Sequence, residues 1–248
     1  MKKWRLEGGK FPSVTGRDVD EDADGLSIVN MFEDADGEWW ICTIDNIYKW
    51  RFGSRELQPF SNKKLREFYM ANPLFFDVIG EDSLGYWLLN AGQFGYYDKK
   101  NDKLTEYELP PDTAYTQYEG DSWISTVAKA DEYGRIWLGN NGGVVSFDKK
   151  TKQFQRYPLS PELYEKNWHY VTTDIYVAGE NIIWHASSAG LHCLDVATGK
   201  TTTVTHNPLD SNSLSSNFVT CIVPGPQHPE TVLLSLIHIS EPTRHRRI

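Results

Sequence analysis

One near-repetition constrains this chain more than any other feature. EDADGEWWICTIDNIYKWRFGSRELQPF (33–60), EDSLGYWLLNAGQFGYYDKKNDKLTEYEL (81–109), DEYGRIWLGNNGGVVSFDKKTKQFQRYPL (131–159) and AGENIIWHASSAGLHCLDVATGKTTTVTH (178–206) align on Trp40, Trp87, Trp137 and Trp184, which are spaced by 47, 50 and 47 residues. Each unit opens with a β-prone run such as IVNMF, FFDVI or YVTTDIYVA. An Asp/Gly turn follows, where glycine supplies the positive φ of a tight hairpin. The Trp strand, a second turn, a third strand such as GVVSFD, a third turn and a fourth strand such as QFQRY complete the unit. Four antiparallel strands at this period form a β-propeller blade.

The expected fold is therefore an all-β propeller of four four-stranded antiparallel blades plus the start of a fifth, an incomplete ring. The blades are expected at about 26–60, 74–109, 122–158 and 169–206, with a partial blade at 214–233. Residues 1–25 read as a linker or as the remnant of a preceding blade. The four repeated tryptophans are expected to pack between neighbouring blades, with Gly134 and Gly143 serving the turns. Open blade faces and strand edges predict poor solubility or self-association for a fragment ending at residue 233.

Composition agrees with β structure, because aromatic residues reach 13% and include nine Trp. These are strand formers with large apolar area to bury. The net charge of −9 argues against nucleic acid as a partner. No apolar run approaches the ~18 residues of a membrane helix. The opening MKKWRLEGG has no apolar stretch behind its basic residues and does not read as a signal peptide. Either the protein is cytoplasmic or its true N-terminus is missing. Cys42, Cys193 and Cys221 match no metal spacing and read as small buried hydrophobes.

The end of the chain breaks the pattern. LSLIHISEPTR (234–244) back-translates base for base into a transposase adapter used in preparing sequencing libraries. Residues 234–248 are accordingly expected to be a non-native, adapter-encoded tail. The native gene is expected to continue beyond Leu233, and the basic RHRRI carries no functional meaning.

The repeats resemble the regulator-propeller repeats of two-component systems. That pattern runs Asp-x-x-Gly-x-hydrophobic-Trp-hydrophobic-Gly-Thr-x-x-Gly, then an aromatic-Asp pair. DEYGRIWLGNNGGVVSFD matches it through Gly134, Trp137, Gly139, Gly143, Phe147 and Asp148. HNPLDSNSLSSNFVTCI (206–222) looks like the family's inter-blade connection. The first repeat departs from the pattern at Thr43–Asn46 and the fourth at Gly179-Glu180-Asn181. The resemblance covers about residues 26–233. It implies the periplasmic or extracellular sensor region of a hybrid histidine kinase, often glycan-sensing, of which this chain is a truncated part. The membrane would be reached only through missing downstream segments, and dimerisation of the full-length parent is left open.

Candidate chemistry is sparse. Glu33, Asp34, Asp36, Glu81, Asp82, Asp131 and Glu132 sit at equivalent turns of different repeats, where hairpins need them. They do not form the positioned carboxylate pair of a glycosidase. In DVDEDADG (18–25), Asp20, Asp22, Asp24 and Gly25 open like a calcium loop. The twelfth position is Met31 rather than Glu, so a solvated acidic linker is expected and no metal is assigned. His185 and His192 flank one hairpin as cross-strand neighbours without a placeable third ligand. No Gly-x-Ser-x-Gly, P-loop or dinucleotide fingerprint occurs.

The inter-blade connections must cross one face of the propeller, and here they are long and aromatic. One carries Phe68 and Tyr69. The next carries Tyr115, Tyr118 and Trp123, and a third Tyr164, Trp168, His169 and Tyr170. Flat rings beside Gln117, Asp121 and Asn167 suit an oligosaccharide. The ligand-binding expectation rests on Tyr115, Tyr118, Trp123, Trp168, His169 and Tyr170, with no catalytic residue, no cofactor and no enzyme activity in this stretch. A protein-interaction scaffold and a propeller lyase or hydrolase are the alternatives.

Overall fold

The structure is a computed structural model of the chain and describes residues 13–14, 28–110, 127–140, 142–159, 172–225 and 232–236. The strands fall into two compact units, residues 1–107 and 108–248. The fold is the β-propeller expected from the repeat: four four-stranded blades, each ordered as in sequence, and a two-stranded fifth.

The first unit holds two blades. Blade 1 comprises β2 (Ile28–Glu33), β3 (Glu38–Thr43), β4 (Ile47–Arg51) and β5 (Glu56–Pro59). A two-residue strand, β1 (Ser13–Val14), adds to β5 in parallel, opposite Glu56 and Leu57. Blade 2 comprises β6 (Phe76–Glu81), β7 (Gly85–Asn90), β8 (Gln93–Asp98) and β9 (Lys103–Tyr107). Trp40 is fully buried where the two blades meet, with ring centroids 4.4 Å from Phe60 and 4.6 Å from Tyr86. Burying a ring of that size is worth several kcal/mol, so the tryptophan stitches the blades through area alone (truncation to Ala costs about 3–5 kcal/mol). Polar staples fix the register between them. Tyr86 donates its hydroxyl to Asp34 at 2.5 Å, the Ala35 amide donates to Glu81 at 2.8 Å, and Asn30 Nδ2 donates to the Phe76 carbonyl at 3.2 Å.

The second unit holds blade 3, with β10 (Val127–Ala130), β11 (Arg135–Asn140), β12 (Gly143–Asp148) and β13 (Phe154–Pro158). Blade 4 has β14 (Thr172–Val177), β15 (Ile182–Ser187), β16 (Gly190–Asp195) and β17 (Lys200–Val204), and blade 5 has β18 (Val219–Pro224) and β19 (Val232–Leu236). Trp137 packs against Ile175, Ile183 and Leu194 of blade 4, and Trp184, half-buried, packs with Val219 and Ile222 of blade 5. Each of these tryptophans thus faces the blade that follows. Blades 3 and 4 approach closely at Gly139, where an added Cβ would lie 2.5 Å from Thr172 Cγ2. The first strands β2, β6, β14 and β18 of their blades each carry a register shift, near the start in β2, β14 and β18 and between Val78 and Gly80 in β6. Such bulges re-aim side chains. Just past the shift in β14, Asp174 accepts the Ile222 amide of blade 5 at 2.8 Å.

Three sequence expectations need comment. Cys42 is buried, but Cys193 and Cys221 are half-exposed; all three are free thiols. Strand alternation puts one side of β16 and β18 outside the tightest packing, so cysteine there is not a core residue. The connection after blade 1 is not a plain loop, since it contains α1 (Lys63–Met70) and a 3-10 turn, Pro73–Phe75. The last strand runs through Leu236, so strand pairing with β18 extends three residues past Leu233.

Candidate functional site

The six ring-bearing residues of the sequence expectation, Tyr115, Tyr118, Trp123, Trp168, His169 and Tyr170, lie outside the described residues. The described connection shows how such a segment is built. Asn62 caps α1 by accepting the Leu65 amide at 2.8 Å, and Leu65, Phe68 and Tyr69 fall at helical spacing on one buried face. Tyr69 donates its hydroxyl to the Thr43 carbonyl, and Asn90 donates its side-chain amide to the carbonyls of Phe68 and Tyr69. Here the helix is a lid bolted to the second strand of both flanking blades. Phe68 and Tyr69 therefore belong to the core, and burial pushes the Tyr69 phenol well above its usual range. The large apolar side chains this connection leaves exposed are Met70, Leu74 and Phe75.

Thr43, Asn90, Asn140 and Ser187 end the Trp strands of blades 1 to 4, and all are buried polar groups. Three of them accept from the turn that follows: Thr43 from the Asn46 amide, Asn140 from Gly142 and Ser187 from Ala189. In blade 2 the turn Ala91-Gly92 takes positive φ at both residues, and the side-chain Oδ1 of Asn90 is left without a hydrogen-bond partner.

The carboxylates of the Asp/Gly turns are occupied locally. Asp34 accepts the amides of Asp36 and Glu38, Asp82 those of Leu84 and Gly85, and Asp131 those of Tyr133 and Arg135. Each also takes a donor from a neighbouring aromatic: Tyr86 on Asp34, Tyr96 on Asp82, Trp137 on Asp131. For Asp82 and Asp131 burial pushes the carboxyl up, but these hydrogen bonds outweigh it and hold both below the ordinary carboxylate range.

Among the described residues one acidic group has metal-like spacing, Asp34, Asp36 and Glu81. Its charge is already met by a protein cation, because Lys99 Nζ lies 2.8 Å from Glu81 and 3.4 Å from Asp36. Beside it is an open cleft bounded by Ala35, Asp36, Glu81, Asp82, Ser83, Leu84, Lys99 and Lys100. Both charge signs line it, and nothing there forms a nucleophile–base pair.

His185 and His192 are cross-strand partners, as the hairpin spacing indicates. Their rings stack with centroids 4.5 Å apart. His192 Nε2 is 2.9 Å from Ser187 Oγ, a Ser–His contact buried within blade 4 and closed to substrate. His192 Nδ1 also lies 2.9 Å from Thr203 Oγ1, so both of its ring nitrogens are engaged by hydroxyls. The alternation of β15 and β16 was legible from sequence, but the face-to-face stacking was not.

No protein-family model matches the chain, and no curated protein does. Solved structures do. The extracellular domain of BT4673 from B. thetaiotaomicron, assigned to the one-component systems, matches with a TM-score of 0.64 at 15% identity over 88% of this chain and 27% of that one. A second structure of that domain, assigned to the hybrid two-component systems, matches with a TM-score of 0.61 at 15% identity over 84% of this chain and 26% of that one. Virginiamycin B lyase from Staphylococcus aureus matches with a TM-score of 0.50 at 14% identity over 84% of this chain and 65% of that one. The chain thus spans about a quarter of the extracellular domains it resembles. At these identities the likeness is one of fold: the chain is a β-propeller whose blades superpose on those of two-component extracellular domains.

Proposed function

We propose that this chain is part of a ligand-sensing extracytoplasmic propeller of a two-component signalling protein, that its ligand is an oligosaccharide, and that it performs no catalysis. The observation that carries this reading is the match over 84% of the chain to an extracellular domain assigned to the hybrid two-component systems. It joins the repeat resemblance and the aromatic connections at Tyr115, Tyr118, Trp123, Trp168, His169 and Tyr170. A rigid scaffold with ring-bearing loops on one face suits reversible recognition of sugar faces. Signalling then requires that the ligand favour one arrangement of the parent protein over another. The carboxylates of the described turns support a non-catalytic role, since each is committed to its own hairpin. Among the described residues no helix is long and apolar enough to cross a membrane.

The lyase match favours a second reading, an eliminating or hydrolysing enzyme. Incubating the chain with neutral and acidic oligosaccharides and weighing the products by mass spectrometry separates the two. The sensing reading expects every sugar returned intact. Unsaturated or shortened products would move the assignment to the enzyme.

A further inference from the structure

The outermost strand of a propeller blade turns one row of backbone N–H and C=O groups away from its own sheet. Such an edge accepts another strand unless something blunts it. Among the described residues the four-stranded blades end in β5, β9, β13 and β17, and the first three of these edges are blunted. β1 lies along β5 in parallel, and β5 itself ends in Pro59. α1 lies against β9, and Asn62 Nδ2 donates to the Asp102 carbonyl at 2.5 Å just before that strand begins. β13 ends in Pro158 and carries Arg156 at its midpoint, so a copy of β13 paired about that midpoint would set two guanidinium groups face to face.

β17 has none of these devices. Its residues, Lys-Thr-Thr-Thr-Val (200–204), include no proline and one charge, at the first position. Threonine and valine are strand formers. The register with β16 runs unshifted from Asp195–Lys200 to Leu191–Val204, so no bulge twists the edge away. Lys200, Thr202 and Val204 are exposed on one side of the strand, and Thr201 and Thr203 are half-buried on the other.

This row of side chains is also self-complementary. An antiparallel copy centred on Thr202 sets Thr202 opposite its counterpart, Thr201 opposite Thr203 and Lys200 opposite Val204. Threonine pairs across strands are favourable, and no like charges meet. The Lys200 stem covers Val204 while its ammonium stays in water. Residues at equal distances from Thr202 share one phase of the ladder, so the backbone groups turned away from β16 meet matching groups of the copy.

We propose that β17 is a docking edge for a second copy of this chain, joined about a two-fold axis at Thr202 so that two copies of blade 4 form one continuous sheet. A two-fold contact of this kind closes on itself and stops at the dimer. Association through bare blade faces is head-to-tail and has no reason to stop at two. One short strand edge is a small interface, which places the contact among weak and transient ones.

The test is sedimentation equilibrium of the full 248-residue chain, beside Thr202→Lys and Thr202→Glu. Thr202 is exposed, so neither change removes a core contact. The parent should show a monomer–dimer equilibrium with a Kd on the order of 100 µM, the weak end expected of so small a contact. Each variant alone should self-associate about tenfold more weakly, because like charges then face each other on the axis. An equimolar mixture of the two should recover the parent's association, because Lys then faces Glu. A parent that stays monomeric up to about 500 µM overturns the proposal. So does association that grows past the dimer, a variant that dimerises as the parent does, or a mixture that dimerises no better than either variant alone. Amide exchange of the parent decides independently if a variant does not fold. Protection of alternate β17 amides that rises with protein concentration supports the edge contact, and protection independent of concentration refutes it.

Discussion

Replacing Asp131 with Ala should be among the most damaging single changes in the second unit. Its side chain is fully shielded and accepts four hydrogen bonds: from the amides of Tyr133 and Arg135 at 3.0 and 2.7 Å, from Arg135 Nε at 2.7 Å and from Trp137 Nε1 at 2.9 Å. Hydrogen bonds to a charged group contribute about 1.5–3 kcal/mol each in isolation, but they share one carboxylate and do not add. The better guide is the loss of one partner of a buried ion pair, about 3–5 kcal/mol. Ala would strand the Trp137 indole N–H, and Arg135 would keep only its bond to the Glu180 carbonyl at 2.6 Å. Asn should recover little, because its amide nitrogen would meet the two side-chain donors. Urea unfolding at pH 7 reads the loss directly. The pH profile gives a second check. The native Asp131 carboxyl is held low, so its contribution is present above about pH 4 and disappears as the pH falls through the native value. Parent and variant should therefore converge in acid. A loss below about 1 kcal/mol, within the range of an exposed ion pair, would refute the reasoning.

Gly143→Ala should prevent normal packing of blade 3, since φ is +136° and an added Cβ would sit 2.4 Å from the Tyr157 carbonyl oxygen. Gly37→Ala has nothing within 4 Å and only a positive φ of 73° to oppose, so it should cost about 1 kcal/mol; thermal melts of the two variants separate the cases. Asn90→Leu removes both bonds from blade 2 to the α1 carbonyls, and amide exchange should show α1 opening ahead of the strands around it.

The blade order was legible because its signals are local and repeated. Trp40, Trp87, Trp137 and Trp184 mark the second strand four times, and the Asp/Gly turns state the hairpins. α1 was harder to see. Its eight residues follow a single Asn cap, and Leu65, Phe68 and Tyr69 at helical spacing are too short a pattern to stand out from a loop. The parallel addition of β1 depends on a pairing 43 residues distant in sequence, between Ser13 and Glu56, which no local pattern encodes. The aromatic residues of one connection proved to be core rather than surface, because the same rings serve burial and recognition. Side-chain chemistry alone does not tell Phe68 from Phe75; the helix does, turning the first inward and leaving the second exposed.

The central claim is that an oligosaccharide is bound reversibly by rings of the inter-blade connections. Calorimetric titration of an oligosaccharide ladder into the parent chain and into Trp123→Ala and Trp168→Ala tests it most directly. The account predicts saturable binding by the parent to at least one sugar of the ladder, weakened about tenfold or more in a tryptophan variant, with the unfolding midpoint of that variant unchanged. Absence of heat across the ladder, or equal affinity in all three proteins, would contradict it.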